Sequence, residues 1–292
     1  MTLDQLRIFI AVAERQHVTQ AARALNIAQS AASSAIAALE VYYDTKLFDR
    51  IGRHIELTEA GNVFLVEARS VVARAERAEL VLSEFGSLKR GVLAVQASQT
   101  IASYWLPRHL VCFRHSYPHI EIRLGVGNTV QVTHAVENGT AELGFVEGTV
   151  EDGKFLTKPI ARDQLVIVVA PSHCWAKSKS MDINSLLEGD WVLREPGSGT
   201  RAMFEEVVRR ARPNGRLRIA LELPSNEAVR AAVEAGMGAT AISASVAAPS
   251  IEAGLLSAVP FPLPERRFYI LMHRERAISR AARELLSIVK KA

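Results

Sequence analysis

The chain has 292 residues, of which 49% are hydrophobic and 23% are charged, and its formal net charge is +4. This length predicts more than one domain, because about 100–200 residues is usual for a domain. No uncharged apolar run approaches the roughly 18 residues that cross a bilayer, and the first nine residues carry charges where a signal peptide has an apolar core. The composition therefore argues against membrane and secreted classes, and we expect a cytoplasmic globular protein.

The two cysteines, Cys112 and Cys174, are far apart in the chain and lack the spacing of a metal-binding or redox motif. Buried, unreactive thiols are the favoured interpretation, and a redox-sensing pair stays an alternative. The sequence therefore predicts no metal and no cofactor.

The N-terminal segment carries the signals of three helices. Thr2 and Gln5 have the spacing of a capping box, so a first helix should begin there. Thr19 is predicted to cap a second helix that ends at Asn26, a residue type that tolerates the left-handed backbone of a sharp turn. A third helix is predicted from about Gln29 to Tyr43.

The third predicted helix has two dissimilar faces. Helical spacing gives it a small apolar face that consists of Ala32, Ala35, Ile36, Leu39 and Tyr43. The opposite face consists of Gln29, Ser30, Ser33, Ser34 and Ala37. Short hydrogen-bonding side chains can enter the major groove, where Gln suits adenine and Ser contacts bases or phosphates. This pattern is typical of a helix-turn-helix, so we expect the segment to bind DNA.

A basic hairpin is predicted to follow as a wing, with short strands at Leu47–Arg50 and His54–Leu57 around Gly52. Arg50 and Arg53 are candidates for contacts to phosphates or the minor groove, although two solvated loop arginines would give the same pattern. The first 57 residues contain six basic and six acidic side chains. Net charge therefore does not support DNA binding, and local placement must supply the electrostatic attraction.

A long helix is predicted next, capped by Thr58 and reaching Leu88. Its apolar residues recur at heptad spacing, at Phe64, Ala68, Val71, Ala75, Ala78, Leu82 and Phe85. A helix of this length spans roughly 45 Å and has little core of its own. A dimerising linker is therefore favoured over a helix packed inside one large domain. The segment 85–91 is predicted to be a hinge.

Beyond the hinge, predicted strands alternate with predicted helices. The strands are expected at 92–97, 120–126, 141–146, 165–170, 191–194, 218–223, 239–243 and 268–272. The helices are expected at 101–115, 130–138, 200–212, 226–235 and 279–290. Repeated βαβ units predict largely parallel sheets with helices on both faces. We expect two lobes, one of about 91–161 with 267–292 and one of about 162–266.

Four strand-to-helix turns in this region share hydroxyl, amide and glycine residues, at 98–100, 127–129, 197–201 and 224–226. A helix N-terminus of this kind suits a carboxylate, sulfate or phosphate. Plain N-capping would explain any one of the turns, but four on the same edge of two lobes favour a ligand cleft. The candidate effector-binding residues are Ser98, Thr100, Asn128, Thr129, Glu147, Glu195, Ser198, Thr200, Arg201 and Asn226.

No catalytic signature occurs in the sequence. The G-x-S-x-G, H-E-x-x-H and C-x-x-C patterns are missing, and the turn at 197–200 lacks the lysine of a phosphate-binding loop. The chain is therefore not predicted to be an enzyme. We weigh two rivals. Two lobes alone would fit a solute-binding protein, but the charged first residues and the N-terminal 90 residues argue against it. A small-molecule enzyme could use the cleft, but the lack of a nucleophile–base pair argues against that.

The order of these parts resembles the LysR-type transcriptional regulators over nearly the whole chain. The matching stretches are 6–9, 19–22, 29–40, 47–50 and 57–61. The effector half is similar to the branch with RuBisCO-operon and sulfur-metabolism regulators, at 127–129 and 193–201. The resemblance implies an α/β protein overall. It would have a winged helix-turn-helix at 1–57, a dimerising linker helix and hinge at 58–90, and a two-lobed effector domain of periplasmic-binding-protein type at 91–292.

The resemblance also implies partners. These are double-stranded DNA carrying an interrupted inverted repeat, further copies of the chain in a dimer or tetramer, a small anionic metabolite between the lobes, and RNA polymerase. It implies base or phosphate contacts by Gln29, Ser30, Ser33, Ser34 and Arg53. Thr19 and Arg50 complete the set of candidate DNA-binding residues. Ser30 and Ser34 stand where the family often has Pro and Arg, so the operator sequence does not carry over from relatives. We expect a ligand-responsive transcription factor whose effector, and whose choice between activation and repression, the sequence does not name.

Overall fold

The computed structural model describes residues 1–51, 54–84, 91–148, 150 and 152–291, and for residues 50, 51, 54, 76, 77, 79–84 and 291 it describes the backbone alone. By its contacts the chain divides into two compact units. The first is Met1–Gly86 with Asn138–Thr140, and the second is Ser87–Glu137 with Ala141–Ala292. Within the described ranges, no helix combines the length and the apolar character needed to cross a bilayer.

The first unit contains four helices and a hairpin among its described residues. They are α1 (Leu3–Arg15), α2 (Val18–Ala24), α3 (Gln29–Tyr42), β1 (Phe48–Ile51), β2 (His54–Leu57) and α4 (Glu59–Glu84). The capping box at Thr2 is confirmed. The left-handed backbone at Asn26 is confirmed as well, with a φ of 54°. The two strands of the wing pair antiparallel, as predicted.

The N-cap of α2 differs from the prediction. Helix α2 begins one residue before Thr19, and its N-cap is His17, whose Nδ1 accepts a hydrogen bond from the Gln20 amide at 3.4 Å. The expectation that Thr19 caps this helix is therefore wrong. An extended His17 backbone places an imidazole nitrogen where a hydroxyl was expected, and Thr19 lies in the first turn.

The core of the first unit is aromatic. Phe9 of α1 lies 5.4 Å from Phe48 and 4.8 Å from Phe64, measured between ring centroids. Helix α3 packs with its small face inward and buries Ala32, Ile36 and Leu39. Tyr43 was expected on that face but is exposed, because it follows the last turn of the helix.

Glu40 of α3 joins the helix to the start of the wing. Its carboxylate accepts hydrogen bonds from the backbone amides of Leu47, at 2.9 Å, and Phe48, at 3.3 Å, and from the Lys46 ammonium at 2.9 Å. Burial raises the pKa of the Glu40 carboxyl, but these three donors outweigh it, and the pKa is lowered overall. A carboxyl whose pKa is lowered by folding adds stability above its unfolded pKa of about 4.3, and this stability is lost as the pH falls through the folded value.

We therefore expect Glu40→Gln to lower the free energy of unfolding of the first unit by about 1–2 kcal/mol at pH 7, because a neutral amide accepts weaker hydrogen bonds than a carboxylate. The difference should shrink as the pH falls below the unfolded pKa of about 4.3 and disappear once the pH is below the lowered pKa of the folded state, where the wild-type carboxyl is neutral as well. Urea denaturation from pH 7 to pH 3 measures it. The exposed Glu56→Gln on β2 is the control, and an equal loss there would contradict the assignment.

The long helix α4 begins as predicted and packs differently along its length. The Thr58 hydroxyl accepts from the Gly61 amide at 2.9 Å and donates to the Lys46 carbonyl at 2.7 Å, so the cap is confirmed. The heptad stripe is divided. Its first positions, Phe64 and Ala68, pack into the core of the first unit, whereas Val71 is 41% exposed. Further along the described part of the stripe, Ala75 is half-buried and Ala78 is exposed, so this part of the helix is open to a partner. The Leu82 side chain, Phe85 and the predicted hinge up to residue 90 lie outside the described residues.

The second unit alternates strands and helices. Its strands are β3 (Gly91–Ser98), β4 (Ile120–Gly127), β5 (Leu143–Glu147), β6 (Phe155–Val169), β7 (Asp190–Arg194), β8 (Arg218–Leu223), β9 (Ala239–Ser243), β10 (Ser257–Val259) and β11 (Glu265–His273). Its helices are α5 (Leu106–Ser116), α6 (Thr129–Asn138), α7 (Ile183–Glu188), α8 (Gly199–Ala211), α9 (Asn226–Glu234), α10 (Ala244–Glu252) and α11 (Arg280–Lys291). A π-helical turn, Ile101–Trp105, precedes α5, and a short 3-10 helix, Cys174–Lys177, precedes α7.

The long strand β6 connects the two lobes of this unit. The strand order is β4-β3-β5-β11-β6-β9-β7-β8, with β10 also paired to β6. Residues 155–164 of β6 pair with β11, and residues 165–169 pair with β9 and β10. Lobe I thus contains β3, β4, β5, β11 and the first half of β6, and lobe II contains the rest. The pairs β3–β4, β3–β5, β7–β8 and β7–β9 are parallel as expected. Every pair that β6 or β11 forms is antiparallel, so the sheet is mixed.

Each lobe has its own apolar core. In lobe I, α5 and α11 pack on β3, β5 and β11 around Phe113, Phe145 and Leu285. In lobe II the core centres on Trp191, whose indole N–H donates to the Leu186 carbonyl at 2.8 Å. Cys112 and Cys174 are free and exposed, so the expectation of buried thiols is wrong. Both lie outside these cores, Cys112 on α5 and Cys174 at the start of the short 3-10 helix.

Candidate functional site

The outer face of α3 presents polar side chains to solvent. Gln29, Ser30, Ser33 and Ser34 are all exposed, while Ala32 and Ile36 anchor the opposite face in the core. This packing fixes which side of the helix can enter a groove. The backbone of Arg50 lies in β1, but its side chain and all of Arg53 lie outside the described residues. Thr19 is half-buried on α2.

The second unit brings the predicted turns together between its lobes. Ser98 and Thr100 of lobe I are buried, as are Ser198, Thr200 and Asn226 of lobe II, which lie at the starts of α8 and α9. The Asn226 side-chain amide donates to the Thr100 hydroxyl at 3.1 Å. The Thr100–Asn226 hydrogen bond therefore joins the two lobes among buried polar residues.

Gln99 adds a second contact at the same corner. Its side-chain oxygen accepts from the Asn226 backbone amide at 2.9 Å, and its side-chain nitrogen donates to the Pro224 carbonyl at 2.9 Å. One glutamine from lobe I thus satisfies both a donor and an acceptor at the beginning of α9. The sequence showed Gln99 inside the first turn, but its role in joining the lobes was not predicted.

A second crossing between the lobes runs through Glu195. Its carboxylate accepts from the Asn128 amide at 3.1 Å and from two nitrogens of Arg194 at 2.8 and 2.9 Å. Arg194 also donates to the Asn226 side-chain oxygen at 2.8 Å. Burial raises the pKa of the Glu195 carboxyl, but these hydrogen bonds outweigh it and lower the pKa overall. Glu195 is therefore ionised near neutral pH, and Arg194 balances its charge.

The first turn of α8 lies directly against lobe I. A Cβ atom at Gly199 would stand 2.7 Å from the Glu147 carbonyl oxygen and 2.8 Å from the Thr129 hydroxyl. No larger residue fits there without a shift of backbone. The absence of a side chain at Gly199 thus lets the start of α8 approach Glu147 and Thr129, and Glu147 is itself buried.

A buried arginine occupies the point where the chain crosses between lobes. Arg266 of β11 is opposite Asp163 of β6, and its side chain has no exposed surface. Its Nε donates to Asp163 at 2.6 Å, and one terminal nitrogen, NH1, donates to the Thr200 hydroxyl at 2.9 Å. The Ser243 hydroxyl donates to the other oxygen of Asp163 at 2.7 Å.

Sequence reasoning missed Arg266 and Asp163. One signal was present, because the alternate positions Arg266, Phe268, Ile270 and Met272 are all buried on β11. The period-2 pattern of the apolar residues extends to Arg266, which marks it as an inward-facing charge. Its partner is 103 residues away in sequence, and only the fold brings the two together.

Three polar atoms in this region are buried and have no hydrogen-bond partner in the part of the chain that the structure describes. They are Ser98 Oγ, Thr129 Oγ1 and Arg266 NH2. A buried polar group left unpaired costs roughly 1–3 kcal/mol, and native structures hold few of them. A fourth such atom, Arg230 Nε, belongs to α9 beside Glu234 and Ser250. The first three all belong to the buried region between the lobes or to its boundary strands.

Arg201 was expected to add positive charge here. Its guanidinium forms ion pairs with Glu205 at 2.7 Å and Glu222 at 2.6 Å and donates to the Arg194 carbonyl at 2.9 Å. Burial lowers the pKa of Arg201, but the two carboxylates outweigh it and raise the pKa overall. Two carboxylates balance its charge, so Arg201 stabilises the end of β7 and leaves Arg266 as the stronger candidate. Among the described residues, no group of His, Cys, Asp and Glu side chains has the arrangement of a metal site.

A helix-turn-helix unit, followed along the chain by a two-lobed domain with buried, unpaired polar groups, defines a ligand-responsive DNA-binding regulator. The family model described as "Bacterial regulatory helix-turn-helix protein, lysR family" matches residues 3–62. The model described as "LysR substrate binding domain" matches residues 86–292. The chain belongs to the LysR family of transcriptional regulators, and it is a regulator rather than an enzyme.

Relatives with similar sequences are regulators as well. The HTH-type transcriptional regulator YeiE of Escherichia coli K12 is 33% identical over 288 residues, which cover 98% of this chain and 96% of that protein. A protein named "Probable RuBisCO transcriptional regulator", from Trichormus variabilis, is 31% identical and aligns with 96% of this chain and 85% of its own.

Two solved structures are similar over the parts described above. The CcmR regulatory domain of Synechocystis PCC6803 in complex with 2-PG is 27% identical, with a TM-score of 0.64, and the match covers 69% of this chain and 97% of that one. Full-length CbnR in complex with its target DNA is 25% identical, with a TM-score of 0.72 and coverage of 100% and 99%.

Proposed function

We propose that this regulator senses a small metabolite anion held between the two lobes of its effector domain. The observation that carries the proposal is the set of three buried, unpaired polar atoms on Ser98, Thr129 and Arg266. Two hydroxyls and one guanidinium nitrogen complement a carboxylate, a sulfate or a phosphate. The similar CcmR regulatory domain, which was solved with 2-PG, supports a ligand of this kind.

In this proposal each group has a separate task. Arg266 supplies the positive charge, and the hydroxyls of Ser98 and Thr129 donate to the anion. The N-termini of α6 and α8 add favourable dipoles, because both helices begin beside these residues. The remaining candidates form the walls of the site, and they are Thr100, Asn128, Glu147, Glu195, Ser198, Thr200 and Asn226.

Ligand binding would act through the contacts that join the lobes. The Thr100–Asn226 and Asn128–Glu195 hydrogen bonds hold the lobes together in the structure described here. An anion that binds the closed arrangement of the lobes more tightly than an open arrangement increases the population of the closed state. If DNA binding differs between the states, the anion and the operator must influence each other's affinity reciprocally.

For DNA recognition we propose that Gln29, Ser30, Ser33 and Ser34 contact bases or phosphates, with Arg50 and Arg53 of the wing on phosphates or in the minor groove. Dimerisation through α4 would use the exposed surface that includes Val71 and Ala78. A dimer or tetramer would place paired helices on an interrupted inverted repeat in cytoplasmic DNA. Contact with RNA polymerase at the promoter belongs to the same proposal.

The DNA assignment is tested with Gln29→Ala. We expect a loss of about 1–3 kcal/mol on the preferred operator and weaker discrimination at one base pair, because a bidentate Gln contact reads adenine. Electrophoretic mobility shifts on the DNA upstream of the protein's own gene measure it, with random DNA in parallel. The exposed Glu67→Ala on α4 is the control. An equal loss on random DNA would contradict base reading.

The effector assignment is tested by thermal unfolding of the full-length chain against a panel of metabolite anions that begins with 2-PG. We expect at least one anion to raise the unfolding temperature of the second unit and to change the mobility-shift pattern on the operator. An anion that stabilises the protein but leaves operator binding unchanged would separate binding from regulation. If no anion stabilises the chain, the proposed site is wrong.

A further inference from the structure

A second concave site lies in lobe I, on residues that take no part in the region between the lobes. It is a groove of about 390 Å³ formed by β6, β11 and α11. This volume is within the range of about 300–1,000 Å³ that is usual for small-molecule pockets.

The topology of lobe I explains why the groove exists. Residues 155–164 of β6 pair with β11, and among the described strands no other one pairs with this half of β6, so it forms the edge of the lobe I sheet. Helix α11 packs against the sheet and, further in, against α5. The sheet surface between the last turns of α11 and this edge is therefore left partly uncovered.

The lining of the groove is mostly apolar. Ile160, Ile270 and Met272 contribute from the two strands, and Leu286 and Val289 contribute from α11. The β6 strand has a register shift opposite Phe268–Tyr269, where Ile160 is the extra residue of a bulge. Bulges re-aim side chains, and here the bulge places a branched apolar residue on the lining.

Two lysines complete the lining. Lys158 and Lys290 are exposed, and within the described ranges neither ammonium lies in salt-bridge distance of a carboxylate. Among the described residues, the groove therefore combines an apolar surface with two positive charges that no carboxylate pairs. That combination is complementary to a molecule with an apolar body and a single negative group, since the body removes apolar surface from water and the charge pairs with the lysines.

The strand edge argues against a protein segment as the occupant. Lys158 and Pro159 lie on the edge half of β6, and proline has no N–H to offer to an added strand. A charged residue and a proline together discourage pairing with another chain. The same two residues would also serve simple edge protection, but edge protection does not require the five apolar side chains or a second lysine from α11.

We infer that this groove binds a small amphipathic organic anion, with one carboxylate or sulfonate on an aromatic or branched hydrocarbon body. The site is separate from the anion site between the lobes and does not depend on it. A compact, highly charged anion would gain little here, because most of the lining is apolar.

The test uses the full-length chain and 1-anilinonaphthalene-8-sulfonate, whose fluorescence reports an apolar site and whose sulfonate supplies the charge. We expect one saturable site and competition by octanoate, but no competition by octylamine. The double variant Lys158→Glu/Lys290→Glu should weaken binding of the probe about tenfold, because two attractive rim charges become repulsive. Lys179→Glu is the matched control, since Lys179 is an exposed lysine of lobe II.

A second variant addresses the apolar lining. Leu286 is half-buried at the rim of the groove, so Leu286→Trp should narrow the groove and also reduce probe binding. The double lysine variant changes exposed side chains only, so it tests the charges without disturbing the core. Equal binding by wild type and both variants would overturn the proposal. Loss of binding in Thr129→Val but not in the groove variants would place the probe between the lobes and would overturn it too. A change in sedimentation caused by Leu286→Trp would show that the groove is an interface between copies instead.

Discussion

Replacing Arg266 by Met should destabilise the second unit by about 3–5 kcal/mol, because the substitution leaves the Asp163 carboxylate buried with its charge unpaired. The loss should appear as a lower urea midpoint for the second unit, with the first unit unchanged. Methionine has a similar volume, so a cavity does not account for the effect.

Two further variants decide whether the charge pair is the cause. Arg267 is the next residue on β11 and is exposed, so Arg267→Met should change the free energy of unfolding by less than about 0.5 kcal/mol. The double variant Asp163→Asn/Arg266→Met removes both charges and should recover a large part of the stability, since the unpaired ion is gone. A double variant that is no more stable than Arg266→Met would contradict the charge argument.

The sequence was most informative where a short local pattern determines the structure. Thr2 with Gln5, Asn26 and Thr58 each specify a cap or a turn through their nearest neighbours, and the structure confirms all three. The faces of α3 follow from helical spacing over a few turns, and the four polar residues on its outer face are exposed as expected. His17 displaced Thr19 as a cap because an imidazole can accept the same hydrogen bond as a hydroxyl.

The second unit was harder to predict where contacts are distant in sequence. Strand β6 is 15 residues long, but only its apolar second half was predicted, since Pro159, Arg162 and Asp163 give the first half the composition of a loop. That first half contributes Asp163 to the buried ion pair and an edge to the lobe I sheet. Helix α10 was also missed, and it carries Pro249 inside its span.

In the candidate site, too, local features were predicted and features that depend on distant contacts were not. The four turns were identified because hydroxyl and amide residues before a helix form a local signal. Which of their atoms stay unpaired depends on packing between lobes, so Thr100 found a partner in Asn226, whereas Ser98 and Thr129 found none. The sequence pointed to Arg201 and not to Arg266 as the cation for an anion, and only the placement of Glu205 and Glu222 shows that Arg201 is already paired.

Replacing Thr129 by Val should have opposite effects on stability and on ligand binding. Its hydroxyl is buried without a partner, so an isosteric methyl group should raise the free energy of unfolding of the ligand-free second unit by about 1 kcal/mol. In the presence of the stabilising anion a charge-assisted hydrogen bond of about 1.5–3 kcal/mol is lost, and affinity should fall about 10–100-fold. Thermal unfolding with and without the anion measures both effects in one series.

Thr133 provides the matched control on the same helix. Its hydroxyl donates to the Thr129 carbonyl at 2.8 Å, so Thr133→Val should cost about 1 kcal/mol of stability and leave anion affinity unchanged. Removing a hydroxyl that serves only the fold lowers the free energy of unfolding of the protein. Removing a hydroxyl that serves a ligand raises that free energy and weakens ligand binding. If Thr129→Val destabilises the ligand-free chain as Thr133→Val does, its hydroxyl has a structural partner and the anion site must lie elsewhere.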